Sequence, residues 1–157
     1  MGVVIAIDAG TTGVRALAVD EAGKPVGWSY REFTQHFPQP GWVEHDADEI
    51  WQTVQTTLAE LRASLGDTPV AAIGITDQRE TTVVWDRRTG RPLSPAIVWQ
   101  DRRTAARCDE LTEQGALSLV RSATGLVLDP YFSGTKLEWL LREGGVDASA
   151  DLAFGTV

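Results

Sequence analysis

The sequence predicts a mixed α/β fold, on three observations. A compact β-branched run, VVIAID, is followed by the hydroxyl-rich turn GTTG, and two further strand-like segments follow, joined by EAGK. A long amphipathic segment then leads to VAAIGIT, a run of the same character as the first. A strand that reaches another strand through a helix is expected to lie parallel to it. Antiparallel pairing at the start and a parallel crossover afterwards define the mixed class.

VVIAID is apolar without clean alternation and is read as a strand buried on both faces. VRALAVDEAGKPVGWSYREF divides at EAGK, where glycine supplies the positive φ of a hairpin turn. Three consecutive antiparallel strands are therefore expected. PQPGWVEHDADEI is read as loop, leading to Asp46 as a helix N-cap with Glu49 three positions on, the spacing of a capping box. Ile50, Trp51, Val54, Leu58, Leu61 and Leu65 then recur at helical intervals up to Gly66, forming one stripe that should cover a sheet. TTVVWD and AIVWQD flank the turn RRTGRPLSP as a hairpin. RRTAARCDELTEQG and SGTKLEWLLREGG are read as two more helices, the second ended by its glycine pair. The tail VDASADLAFGTV receives no element. There is no internal repeat and no low-complexity linker.

At 157 residues the chain is one domain's worth, enough to bury roughly two-thirds of its unfolded surface. A composition 43% apolar and 23% charged lies far from the disordered class. The net charge of −8 and pI of about 4.7 repel nucleic-acid backbones and anionic lipid, which argues against both as partners. An anionic nucleotide remains compatible, provided that backbone amides and a cation neutralise its phosphates locally. The single cysteine, Cys108, excludes an internal disulfide and a cysteine metal cluster. MGVVIAIDAG has no basic n-region, and its apolar run is too short for a signal peptide or membrane span. The expectation is a cytoplasmic protein without membrane insertion.

Residues 8–15, DAGTTGVR, fit either a tight hairpin turn or a phosphate cradle. Gly10 and Gly13 allow close backbone approach, Thr11 and Thr12 add hydroxyls, Asp8 offers a hard oxygen for hydrated Mg²⁺, and Arg15 adds a positive charge. Arg79 and Glu80 follow VAAIGIT, a strand expected parallel to the first, so that Asp8 and this pair could face one crevice. They are either a solvated ion pair or a donor and acceptor for a polyol. Trp99 and Asp101 stand at another strand end, and Tyr131 lies in a proline-punctuated loop. Each is either a core or interface residue or a ligand contact, a Trp face for carbons and a Tyr hydroxyl for an oxygen. His36 and His45 do not have the spacing of a helical metal pair and are read as surface or loop-packing residues.

Taken together, DAGTT, REFTQHFPQPGWVEHD, AAIGITDQRETTVVWDRRTG, AIVWQDRRTA and DPYFSGTKLEWLL resemble, in order and separation, the amino-terminal part of the glycerol kinases, within the FGGY family of carbohydrate kinases. The resemblance runs from Val4 to Val157. It implies a ribonuclease-H-like, actin-like ATPase fold whose mixed five-stranded sheet has the order 3-2-1-4-5, flanked by helices and incomplete here. Residues 1–157 would be the amino-terminal part of the first kinase domain, with the second, adenosine-binding domain absent. The implied reaction is transfer of the γ-phosphoryl group of ATP, with Mg²⁺, to the terminal hydroxyl of glycerol, giving sn-glycerol 3-phosphate. The other readings are a kinase for another small polyol or sugar, and an inert fragment or self-associating module.

By this resemblance Asp8 is associated with the metal, and Thr11, Thr12, Gly13 and Arg15 contact nucleotide phosphate. Arg79, Glu80 and Tyr131 bind glycerol hydroxyls, and Trp99 packs on its carbons. The family's general base lies beyond Val157, so no catalytic base is assigned in this chain, and the chain alone is expected to be inactive. Ala9 and Gly13 replace the Gln and Ser usual in glycerol kinases, which implies one fewer hydroxyl contact to phosphate. Asp77 replaces the commoner Asn and adds a negative charge near the substrate pair. The truncated sheet edge is expected to expose apolar surface and to promote homo-oligomers or self-association.

Overall fold

The computed structural model describes residues 2–157, which form two compact units. One unit runs to Gln35 and resumes from Asp46 to Gln78; the other holds His36–His45 and Arg79–Val157.

In the first unit, β1 (Val3–Ala9), β2 (Gly13–Val19) and β3 (Pro25–Glu32) follow one another as antiparallel neighbours. The two-residue β4 (Glu44–His45) belongs to the second unit, and the chain returns to the first through α1 (Ala47–Leu65) and β5 (Val70–Asp77). β5 pairs parallel to β1, giving the order β3-β2-β1-β5. This is the expected arrangement for its first four places. No described strand takes the fifth place, because the remaining strands pair among themselves in a second sheet.

Burial corrects the reading of the first strand. Val3, Ile5, Ile7 and Ala9 are buried, whereas Val4, Ala6 and Asp8 are exposed. The strand is one-sided because α1 lies across one face of β2, β3 and β1. β5 lies beyond that cover, and Ile73 and Ile75 are exposed.

α1 starts as expected, with the Asp46 carboxylate accepting from the amides of Asp48 and Glu49 at 2.8 and 3.2 Å. The reciprocal half of the capping box does not form. Glu49 instead turns to Thr34 on the end of the strand region, accepting from its amide and hydroxyl at 3.1 and 3.0 Å. The buried stripe is Ile50, Thr53, Thr57 and Leu61. Trp51 lies outside it, 58% exposed. Leu61 fills the space above Gly27, where a β-carbon would stand 3.2 Å from its Cδ1.

The second unit pairs β6 (Thr82–Asp86) with β7 (Ala96–Ile97) through Thr82 and Ile97, so the hairpin is present but short. α2 (Ala105–Glu113), α3 (Leu117–Thr124) and α4 (Ser133–Arg142) follow, and β8 (Leu152–Thr156) closes on β6. The sheet order is β4-β7-β6-β8. α3 and β8 lie in segments that the sequence reading left without elements, and β4 lies in its loop. Val84, Ile97, Leu140 and Val146 form the core, with Leu137, Trp139 and Leu152 against it.

Candidate functional site

In the first unit the candidate residues gather at the end of the sheet where β1 turns into β2. The Gly10 amide donates to the Gly13 carbonyl at 3.0 Å, closing the DAGTTG turn as a hairpin connection. Two amide side chains brace it from outside. Gln78, buried, donates through its backbone to Ala9 and through Nε2 to the Gly10 carbonyl, at 3.0 and 3.3 Å. Gln35 Nε2 donates to the Thr11 carbonyl at 3.0 Å. Three successive carbonyls are therefore tied from behind, which fixes the path of the loop bearing Thr11 and Thr12. Sequence reasoning passed over both glutamines, since neither lies in the turn itself.

Strand register places Asp8 opposite Arg15 on β2 and opposite Thr76 on β5, and Arg15 opposite Tyr30 on β3. Residues opposite one another share a face. Thr76, Asp8, Arg15 and Tyr30 thus form one row across the sheet, beside the glycine turn. The Arg15 guanidinium lies 5.7 Å from the Tyr30 ring centroid. Gly13 is required here by space. A β-carbon on it would stand 2.5 Å from the Arg31 carbonyl oxygen and 2.7 Å from the Tyr30 hydroxyl. The phenol thus occupies the position where a residue-13 side chain would begin.

Among the described residues no group of three or more His, Cys, Asp or Glu is placed to hold a metal ion. The exposed Asp8 carboxylate fits a different arrangement. Magnesium keeps most of its waters and takes one or two carboxylates together with substrate phosphates.

In the second unit, Glu80, Trp99 and Tyr131 come together through α4. The helix begins after Phe132, which supplies no side-chain cap. Glu80 supplies one from a distant part of the chain, its Oε2 accepting from the amide and hydroxyl of Ser133 at 2.9 and 2.6 Å. A carboxylate at a helix N-terminus satisfies an orphan donor and complements the helix dipole. Glu80 itself carries a φ of 68°, a left-handed conformation that costs a non-glycine residue on the order of 1 kcal/mol. Asp129 accepts from the Tyr131 amide at 2.8 Å, fixing the turn into the helix. The Tyr131 ring meets Trp99 edge-on, with centroids 5.9 Å apart. Trp99 is held through its amide by the Thr81 hydroxyl, which accepts at 3.2 Å. Arg79 is exposed beside Glu80 in the sequence.

Beneath this cluster lies Lys136, a residue the sequence reading did not single out. It is fully buried and donates from Nζ to the backbone carbonyls of Glu80, at 2.9 Å, and Tyr131. Burial lowers its pKa from 10.5 to about 8, with the carboxylates of Glu80, Asp101 and Asp129 opposing that shift.

Asp101 takes a structural place. Its two oxygens receive Arg103 Nε and Nη2 at 2.9 and 2.8 Å, and Oδ2 also accepts from the Val43 amide at 2.6 Å. Arg103 reaches Glu44 at 2.8 Å and lies over Trp42 and Trp139, 3.8 and 4.7 Å from their centroids. This buried fork, satisfied on both sides, anchors the chain just after Trp99.

The sequence pattern of the FGGY family of carbohydrate kinases, N-terminal domain, matches residues 3–151. The chain belongs to the FGGY family. A curated glycerol kinase of Rhizobium meliloti (strain 1021) is 55% identical over 162 residues, covering 99% of this chain and 33% of that protein. The crystal structure of Plasmodium falciparum glycerol kinase with ADP superposes with a TM-score of 0.91 at 32% identity, covering 99% of this chain and 32% of that one. The xylulose kinase of Rhodospirillum rubrum superposes at 0.84 with 29% identity, over 90% of this chain and 29% of that one. The chain thus spans about one third of the length of the FGGY proteins it matches, and its fold is the actin-like ATPase fold of these kinases. No helix among the described residues is long and apolar enough to cross a membrane.

Proposed function

We propose that this chain carries the phosphate-side turn and the polyol-binding cluster of an ATP-dependent glycerol kinase, which transfers the γ-phosphoryl group to the terminal hydroxyl of glycerol. The carrying observation is the Glu80–Trp99–Tyr131 cluster, an acceptor, an aromatic face and a phenol converging on a helix start, in a chain 55% identical to a glycerol kinase. Glu80 accepts a glycerol hydroxyl, Arg79 and Tyr131 donate to others, and the Trp99 ring covers the carbon backbone. Asp8 would help to hold a magnesium ion brought by the nucleotide. When bound, that ion neutralises phosphate charge as the phosphoryl group is transferred. The Gly10–Gly13 turn presents Thr11 and Thr12 to phosphate oxygens, and Arg15 adds positive charge.

The 157-residue chain by itself is proposed to be inactive and self-associating, because no general base is assigned to it and apolar sheet surface is exposed. A cytoplasmic location fits a substrate pair of this kind. The test is a coupled ADP-release assay of the full-length gene product with glycerol, erythritol and pentuloses. Glycerol is expected to give the highest kcat/KM. Preference for a pentulose would move the reading to another sugar kinase of the same family, a reading that the likeness to the xylulose kinase supports.

A further inference from the structure

We propose that Lys136 is a positioning residue of the polyol site, a buried ammonium that sets the spacing of Glu80 and Tyr131 by holding both of their backbone carbonyls. This deepens the proposed function and rests on it.

Two residues far apart in sequence meet at one cation. Nζ donates to the Glu80 carbonyl, 56 positions away, and to the Tyr131 carbonyl, 5 positions away. Its side chain is wholly buried, a costly place for a charge unless its donors are used. An ammonium has three donors, and two are spent on the main chain of the two residues whose side chains are assigned to substrate. The Nζ also lies 6.0 Å from the Tyr131 ring centroid.

The backbone of Glu80 needs such a hold, because its φ of 68° is unfavourable for a residue with a side chain. Ser133 fixes its carboxylate and Lys136 fixes its carbonyl, and both belong to α4. One rigid helix thus carries the two clamps. An active-site geometry held from below in this way loses binding when displaced by about an ångström.

The groups facing Lys136 are the carboxylates of Glu80, Asp101 and Asp129 and the thiol of Cys108. Asp101 is engaged by Arg103, and burial raises the thiol above its ordinary range. Burial lowers the Lys136 pKa to about 8, so the lysine loses its proton as pH rises through that value. Its bonds to the two carbonyls then lose their charge-assisted strength.

The test uses the full-length protein. Lys136→Met keeps the length of the side chain and removes the donors. It is expected to raise the KM for glycerol at least tenfold while the KM for Mg·ATP changes less than twofold. An unchanged glycerol KM overturns the inference, as does an equal rise in both constants. Should the variant fail to fold, glycerol titrations of the wild type from pH 7 to 9.5 decide: affinity falling through about pH 8 supports it, and a flat profile overturns it. A wild type that binds no glycerol contradicts the proposed function and this inference with it; one that binds glycerol while K136M is indifferent contradicts the inference alone.

Discussion

Gly13 shows at the residue scale how the turn and the sheet constrain one another. Read from sequence, its missing side chain is a lost hydroxyl; in the fold it makes room for Tyr30 and for the carbonyl of Arg31. Gly13→Ser is therefore expected to destabilise the chain by about 1–3 kcal/mol, the usual cost of overpacking, measured as a lower urea midpoint. Adding Tyr30→Ala should recover only part, since the Arg31 carbonyl stays. A G13S chain as stable as the wild type would refute this packing. Asp8, Arg15, Glu80 and Tyr131 stood out as candidates by residue type, each beside a structural reading, and only the family resemblance favoured the functional one. Lys136 did not, since a lysine inside a helical pattern reads as a solvated face, and the carbonyls that bury it come from other segments. Gln35 and Gln78 escaped for the same reason: each acts on a turn to which it does not belong.

At the scale of elements, segments with a clear pattern of their own were read well and segments without one poorly. The Asp46 cap and the three antiparallel strands rest on neighbouring residues, whereas the parallel crossover, which sets Val3 opposite Val70, rests on a helix joining two like strands; all are present. β8, five residues long, was missed because its own residues carry no strand pattern; pairing with β6, Asp86 opposite Leu152, makes it a strand. α3 was missed because it has no side-chain cap to announce it, and none of its residues is buried. The helix stripe shifted as well, since two threonines face the sheet where Trp51 was expected. One of them, Thr57, is wholly buried, and its hydroxyl has no partner among the described residues. Thr57→Val keeps the shape and removes the unsatisfied hydroxyl, so it is expected to stabilise by about 1 kcal/mol. A higher melting temperature would confirm this, and a lower one would show that the hydroxyl is engaged.

At the scale of the whole molecule, the chain covers about a third of its FGGY relatives. Its surface carries large apolar side chains, among them Trp28 at 68% exposure and Ile75 at 72%. Expressed alone, it is expected to self-associate with rising concentration, as followed by light scattering. A monomer that persists at high concentration would contradict this. The acidic balance, −8 in formal charge, means that a phosphate-bearing ligand must be met by local donors and a cation, which is the role given to the turn, Arg15 and Asp8.

The proposed function rests on Glu80 binding the polyol while the turn binds phosphate, two proposed roles that one substitution separates. Glycerol and Mg·ADP are titrated calorimetrically into the full-length wild type and into Glu80→Gln. The glycerol affinity of the variant is expected to fall by one to two orders of magnitude, as for a lost charged acceptor, with Mg·ADP affinity within about twofold of the wild type. Equal glycerol affinity in the two proteins, or parallel loss of both ligands, would contradict it.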